Sequence, residues 1–183
     1  MVAWAACALG CGSSLRAPKP AVLPVDQTAR RESLDQLARA LFDAIRADAP
    51  EQALAPAAEL DELLPSPTRT RIEQERRRPI HQAASVPGHP AVWSAASYAG
   101  FCAQGAREEP AGGALGLGGA AWLLDRLLVV ADLGNGRSAS WVEGRFLFTD
   151  QGWRALTLSR VETPRAGHSD LDLAPCDVEQ GIR

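Results

Sequence analysis

The sequence predicts an α+β domain in which N-terminal helices pack on a curved, cone-like antiparallel β-meander. Three observations carry this prediction. One apolar stripe runs at helical spacing in the first third of the chain. Two turn signals in the second half separate segments of strand length and alternating polarity. The two patterns do not intermix along the chain, so helices come first and a sheet follows.

The clearest helix lies within Ser33–Asp48. Leu34, Leu37, Ala38, Leu41, Phe42 and Ile45 form one continuous stripe. Ser33 and Gln36 have the spacing of a capping box, and Pro50 is expected to close the helix. A shorter helix follows, with Pro56 in its first turn and Leu60, Leu63 and Leu64 on its apolar face. Ser66-Pro67 reads as an N-cap and first-turn pair. Thr68–Arg78 carries only Ile72 as a large apolar residue, which fits a surface helix or a disordered excursion. Pro79, Pro87, Gly88 and Pro90 mark loop around Ile80–Ala84.

In the second half, Tyr98–Arg107 is expected to be a strand, and Gly112–Gly119 a loop. Trp122–Leu133 fits either a helical stripe or a strand. Strand is preferred for Arg126–Asp132, because Gly134-Asn135-Gly136 follows as a hairpin signal. Ser138–Phe148 then places Trp141, Glu143, Arg145 and Leu147 on one face, with Val142, Gly144, Phe146 and Phe148 on the other. Asp150-Gln151-Gly152 is the next turn, and Trp153–Val161 the last strand. Short loops between neighbours make an antiparallel meander the simplest topology.

The chain has 183 residues, which suits one domain with short appendages. Its net charge of −3 leaves no basic nucleic-acid footprint. After the N-terminus the most apolar stretch is Ala120–Ala131. Asp125 and Arg126 interrupt it, and it falls short of the roughly 20 residues needed to span a bilayer.

Residues 1–10 read as a secretory signal peptide, since a short apolar run, Val2–Leu9, ends at small residues. Ala8-Leu9-Gly10-Cys11 resembles a bacterial lipobox, the site where lipoproteins are cleaved and acylated. The resemblance implies that Cys11 becomes the lipidated first residue of an exported protein, anchored in the cell envelope on a periplasmic or surface face. The segment departs from the usual pattern in two ways. Ala8 stands where Leu is common, and no basic residue precedes Arg16. Residues 11–26 hold Pro18, Pro20, Pro24, Ser13 and Ser14 and form a tether, leaving 27–183 as one α+β domain with a C-terminal tail.

Helices followed by a meander, with the hairpin Gly144–Arg154 (Gly-Arg-Phe-Leu-Phe-Thr-Asp-Gln-Gly-Trp-Arg), resemble the nuclear transport factor 2-like superfamily over about Leu34–Glu162. The resemblance implies a sheet wrapped around helices to form a cone with a pocket. Members of the superfamily include isomerases, dehydratases, cyclases and non-catalytic binding modules, so it implies a fold and no particular activity. No Tyr/Asp or His/Asp pair of its enzymes maps onto this sequence residue by residue.

Asp125, Arg126, Trp141, Glu143 and Arg145 are the candidates for lining such a pocket, either as general acid/base groups or as plain cross-strand ion pairs. Gly116–Ala121 fits G-x-G-x-x-A, but the turn-like Glu108–Ala111 precedes it where a dinucleotide site needs a strand. Arg76-Arg77-Arg78 could meet phosphates or anionic headgroups, or form a solvated helix face beside Glu73 and Glu75. His168, Asp170, Asp172, Asp177 and Glu179 are read as a solvated acidic tail, with metal binding as the alternative. No metal site or cofactor is assigned.

Of the four cysteines, Cys7 would leave with the signal and Cys11 would carry lipid. Cys102 and Cys176 then remain in a compartment where disulfides persist, and they are expected to pair. The expected function is a non-enzymatic domain that binds a protein partner or small ligand, with the membrane reached through the lipid. The alternative is a small pocket enzyme built on the same fold.

Overall fold

The computed structural model describes residues 27–83 and 93–162, and the fold is α+β. The lipobox, Cys11, the tether, Cys176 and the acidic His168 segment all lie outside the described residues. Three helices, α1 (Gln27–Arg46), α2 (Ala57–Leu63) and α3 (Ser66–Arg76), precede most of the sheet. The strands are β1 (His81–Ala83), β2 (Ser97–Gln104), β3 (Arg107–Glu109), β4 (Ala121–Asp132), β5 (Arg137–Thr149) and β6 (Gly152–Glu162). They form one sheet in the order β1-β6-β5-β4-β2, with β3 also on β4. Every pairing is antiparallel except the edge pair β1–β6, which is parallel.

The apolar stripe of α1 lies flat on one sheet face. Leu34, Leu37, Ala38, Leu41, Phe42 and Ile45 share one cluster with Leu124, Leu127, Val129, Val142, Phe146 and Trp153. The opposite face carries a second, smaller core at one end. There Leu60 and Leu64, with Ile72 of α3 and Leu115 of the β3–β4 loop, pack on Leu123, Leu147 and Leu156. The sheet is therefore sandwiched near the start of β4 and the end of β5, and on the first face Trp93 and Ala96 join α1 in the core.

Several local expectations need correction. The helix starts at Gln27, so Ser33 sits inside it and does not cap it. Ser33 Oγ instead accepts the Trp153 N–H at 2.6 Å, tying α1 to the start of β6. Pro50 does not close α1. The chain turns at Asp48, whose φ is +56°, with Asp48 N–H donating to Ile45 O and Ala49 N–H to Ala44 O. That is a Schellman ending, and Pro50 opens the following 3₁₀ turn (Pro50–Ala53). Ser66 lies within the first turn of α3 and makes no side-chain cap bond.

Thr68–Arg78 is a helix over most of its length, and its lone apolar residue, Ile72, is fully buried. One Ile suffices because Thr68 donates to Leu115 O at 2.9 Å and Arg71 donates to Ala114 O at 2.8 Å, fastening α3 to the β3–β4 loop. Within the expected loop around Ile80–Ala84, His81–Ala83 pairs with Arg160–Glu162 as an added edge strand. The ambiguous apolar segment is strand throughout, from Ala121 to Asp132.

Both expected hairpins form. The first is not a two-residue Asn-Gly turn, because Asp132 pairs with Arg137 and residues 133–136 intervene. Positive φ values fall on Gly134 and Gly136 and not on Asn135. Leu133 N–H donates to Gly136 O, and Asp132 Oδ1 accepts from Gly134 N–H, both at 2.8 Å. The second is a two-residue turn, Asp150-Gln151, between paired Thr149 and Gly152.

Candidate functional site

The alternation along β5 places Trp141, Glu143, Arg145 and Leu147 on the face opposite α1, while Val142, Phe146 and Phe148 join the α1 core. On β4, Leu124 and Leu127 both face α1, so the residues between them, Asp125 and Arg126, are displaced to the other side. A β-bulge causes this: the pairing jumps from Leu124↔Phe146 to Arg126↔Glu143. Two further irregularities follow between β5 and β6, at Glu143/Gly144 and Arg145/Phe146. Gly144 is required there, because a Cβ would run into the Thr157 carbonyl oxygen. All five residues singled out from the sequence therefore share one face, next to the bulges.

Their contacts are specific. Arg126 and Glu143 are cross-strand partners, with Nε 3.4 Å from Oε1. The Arg126 guanidinium lies 4.3 Å from the Trp141 ring centroid, over its negative face. Arg145 Nη1 lies 3.3 Å from Glu75 Oε2 of α3, and Asp125 pairs with Arg107 of β3. These groups are half-exposed, so the pairs add little to stability. Between the end of α3 and the bulged strands runs an open groove of about 390 Å³, lined by Glu75, Arg78, Asp125, Arg145, Thr157 and Ser159. It presents both signs of charge and hydroxyl groups, but no buried acid. Among the described residues no cluster of His, Cys, Asp or Glu has a metal-binding arrangement.

The space between α1 and the sheet, where a cone would hold its ligand, is filled. The niche bounded by Arg30, Leu34, Ala103, Trp122, Leu124 and Trp153 has a volume of about 10 Å³. That is near the minimum for a single water. Arg30 closes its mouth, with its guanidinium 4.6 Å from the Trp122 ring centroid.

The sequence reading missed a second constellation. The sole tyrosine, Tyr98, donates its hydroxyl proton to Asp35 Oδ1 at 2.7 Å. Arg39 donates to Asp35 Oδ2 at 2.8 Å, and its guanidinium lies 4.4 Å from the Tyr98 ring centroid. Burial, the largest single influence on Asp35, raises its carboxyl. The hydrogen bonds from Tyr98 and Arg39, with the charges of Arg39 and Arg31, outweigh burial and hold it below the usual 3.8. Burial first, then the bond to Asp35, pushes the Tyr98 phenol upward, so it remains a proton donor. Asp35 also borders a wide, open groove of about 640 Å³ with Thr28, Arg31, Glu32, Gln36 and Phe101. The one signal in the sequence was Asp35 and Arg39 at i, i+4 beside the apolar stripe. The trio latches α1 to β2.

Two motifs resolve into structure. Arg76 donates to three backbone carbonyls, Leu156 O at 2.6 Å, Ala55 O at 2.8 Å and Ala155 O at 3.3 Å. It clasps α3 to β6 and is not available to a phosphate, whereas Arg77 and Arg78 are exposed. Gly116–Ala121 is followed by strand β4 and not by a helix, so it is no dinucleotide loop. Leu115, just before it, plugs the smaller core.

The fold and the groove together define an α+β domain with a packed interior and a polar, concave outer face. No family model, curated protein or solved structure matches the chain. No helix among the described residues is long and apolar enough to cross a membrane.

Proposed function

We propose that this is an exported binding module, held at a membrane by acylated Cys11, whose contact surface is the groove on the sheet face opposite α1. The observation that carries the binding reading is the contrast between the closed niche beneath α1, where a cone would hold its ligand, and the open groove on the opposite face. The niche under α1 holds about 10 Å³, whereas the outer groove offers about 390 Å³. A pocket enzyme needs an enclosed, water-excluding space for its reacting groups. Here each candidate carboxylate is half-exposed and faces an arginine. Asp125, Arg145 and Ser159 instead offer the acceptors and donors that recognise a polar peptide or small polar ligand.

The likeness to the nuclear transport factor 2-like superfamily belongs to this reading. Helix α1 lying across a meander, and bulges that bend β5 and β6, support it. Export is supported by the lipobox-like Ala8–Cys11.

A photo-crosslinking residue tests the surface directly. Placed at Ser159 in the full chain, in cells, it should give a discrete adduct in the envelope fraction. Swapping the groove charges, Asp125→Arg with Arg145→Glu, should abolish that adduct. The same residue at Ala40, on the exposed back of α1, should give none. Equal adducts from both positions, or an adduct indifferent to the charge swap, would remove the groove from the account.

A further inference from the structure

We infer that the outer groove binds the carboxylate group of its ligand, seated between Arg78, Arg145 and the Thr157 hydroxyl. The assignment rests on the groove being the contact surface, and it adds the chemistry of the group bound there.

The strands prepare the seat. Arg145 and Thr157 are cross-strand partners, and the pairing shifts on both sides of them, at Glu143/Gly144 and at Arg145/Phe146. Bulges of this kind leave a residue unpaired and re-aim its neighbours. Arg145 and Thr157 both line the groove that the end of α3 approaches, and Gly144 beside them has no side chain to fill it.

The groove holds more donors than acceptors. Both of its carboxylates are engaged: Asp125 pairs with Arg107, and Glu75 Oε2 lies 3.3 Å from Arg145 Nη1. That second contact is ionic without hydrogen-bond alignment, so Arg145 Nη1 is closed off from solvent and donates to no acceptor. Arg76 is the contrast, since its fork is committed to three carbonyls. Arg78, just past α3, is exposed and has no ion pair or side-chain hydrogen bond among the described residues. Ser159 already donates to Glu143 O at 3.1 Å, whereas the Thr157 hydroxyl has no partner among the described residues. Enclosed donors of this kind call for acceptor oxygens.

Charge selects among oxyanions. Arg78, Arg145 and Arg107 meet only Glu75 and Asp125 here, which leaves one positive charge unmatched. A single negative charge answers it. A dianionic phosphate would be repelled by Glu75 and Asp125. A carboxylate is also planar, and its two oxygens match a guanidinium fork.

Titrating the ¹⁵N-arginine-labelled full chain with N-acetylglycine, and separately with N-acetylglycinamide, tests the seat by NMR. The acid should shift the Arg78 and Arg145 Nε–H signals saturably, and the amide should not. Arg78→Gln should weaken binding at least about tenfold, the worth of a charged hydrogen bond. Arg78 makes no contact that folding needs, so this variant keeps the fold. Arg145→Lys should also weaken binding, because it keeps the charge and loses the fork. Arg137→Gln, at the exposed hairpin end, should leave binding unchanged. Succinate and N-acetyl-glycylalanine then separate the sources. Tighter binding of the first assigns a free organic acid, and of the second a peptide C-terminus. Equal shifts from acid and amide, affinity indifferent to Arg78→Gln, or tighter binding of inorganic phosphate than of any carboxylate would overturn the assignment. A Ser159 adduct that survives such a failure would leave the contact surface standing. Carboxylate binding without that adduct would remove the partner and keep the seat.

Discussion

The two faces of the sheet are built from the same strands and do different work. The face under α1 is largely apolar, and its side chains interlock with the helix stripe, leaving a niche of about 10 Å³ beside Arg30 and Trp122. The opposite face is heterogeneous. Helices close one end, charged pairs and a groove occupy the middle, and an apolar patch lies beyond. The bulge at Asp125 helps to separate these roles, because it turns two consecutive polar residues outward while Leu124 and Leu127 both stay in the core. The difference teaches that the larger apolar core lies on the α1 face, while the other face combines smaller apolar clusters with the charged pairs and the groove.

Substitutions on the two faces should separate by magnitude. The largest effect is expected at Phe146, which is fully buried against α1. Phe146→Ala should lower unfolding stability by about 3–5 kcal/mol, read from the denaturant midpoint. A loss under about 1 kcal/mol would mean that the α1 face does not carry the fold.

Arg76 comes next, because it joins three carbonyls of two segments. Arg76→Ala should cost about 2–4 kcal/mol, since charged hydrogen bonds vanish and partly buried carbonyls lose their donor. Arg76→Lys should recover only part of that, because an ammonium cannot span the guanidinium's fork. Full recovery by lysine would show that charge alone matters at this position.

On the groove face, Glu143→Gln should change stability by less than about 1 kcal/mol, as befits a half-exposed pair with Arg126. A multi-kcal/mol loss there would blur the contrast between the faces.

The smallest effect is expected at the latch. Asp35 has a depressed pKa in the folded state, so its stabilisation is present above the ordinary 3.8 and is lost as pH falls through the folded value. Asp35→Asn should therefore narrow its stability difference from the parent in acid below about pH 3.8, with the full difference kept near neutrality. A difference constant across that window would show that the carboxylate's charge is not what holds Tyr98 and Arg39.

Much of the fold was legible because it rests on periodicity. The α1 stripe, the alternation of Ser138–Phe148 and the two turns each appear in the sequence at the spacing the structure uses. Element ends were less legible, since they depend on tertiary partners. Ser33 looked like a cap but is claimed by the Trp153 amide, and β1 exists only because β6 offers an edge. Ile72 looked isolated in sequence, yet it is buried through contacts with a loop dozens of residues away.

The candidate site was legible as a shared strand face, which placed Trp141, Glu143 and Arg145 together. The groove beside them was not, because it needs the bulges and the approach of α3, and neither leaves a local pattern. The Tyr98–Asp35 latch joins residues 63 apart, a separation that no motif spans.

The most direct test of the central claim, a binding module tethered at the envelope, is the mass of the N-terminal peptide from natively produced protein. The account predicts a mature chain beginning at Cys11 and carrying two or three acyl chains. A soluble protein that retains an intact Met1 and an unmodified Cys11 would contradict it.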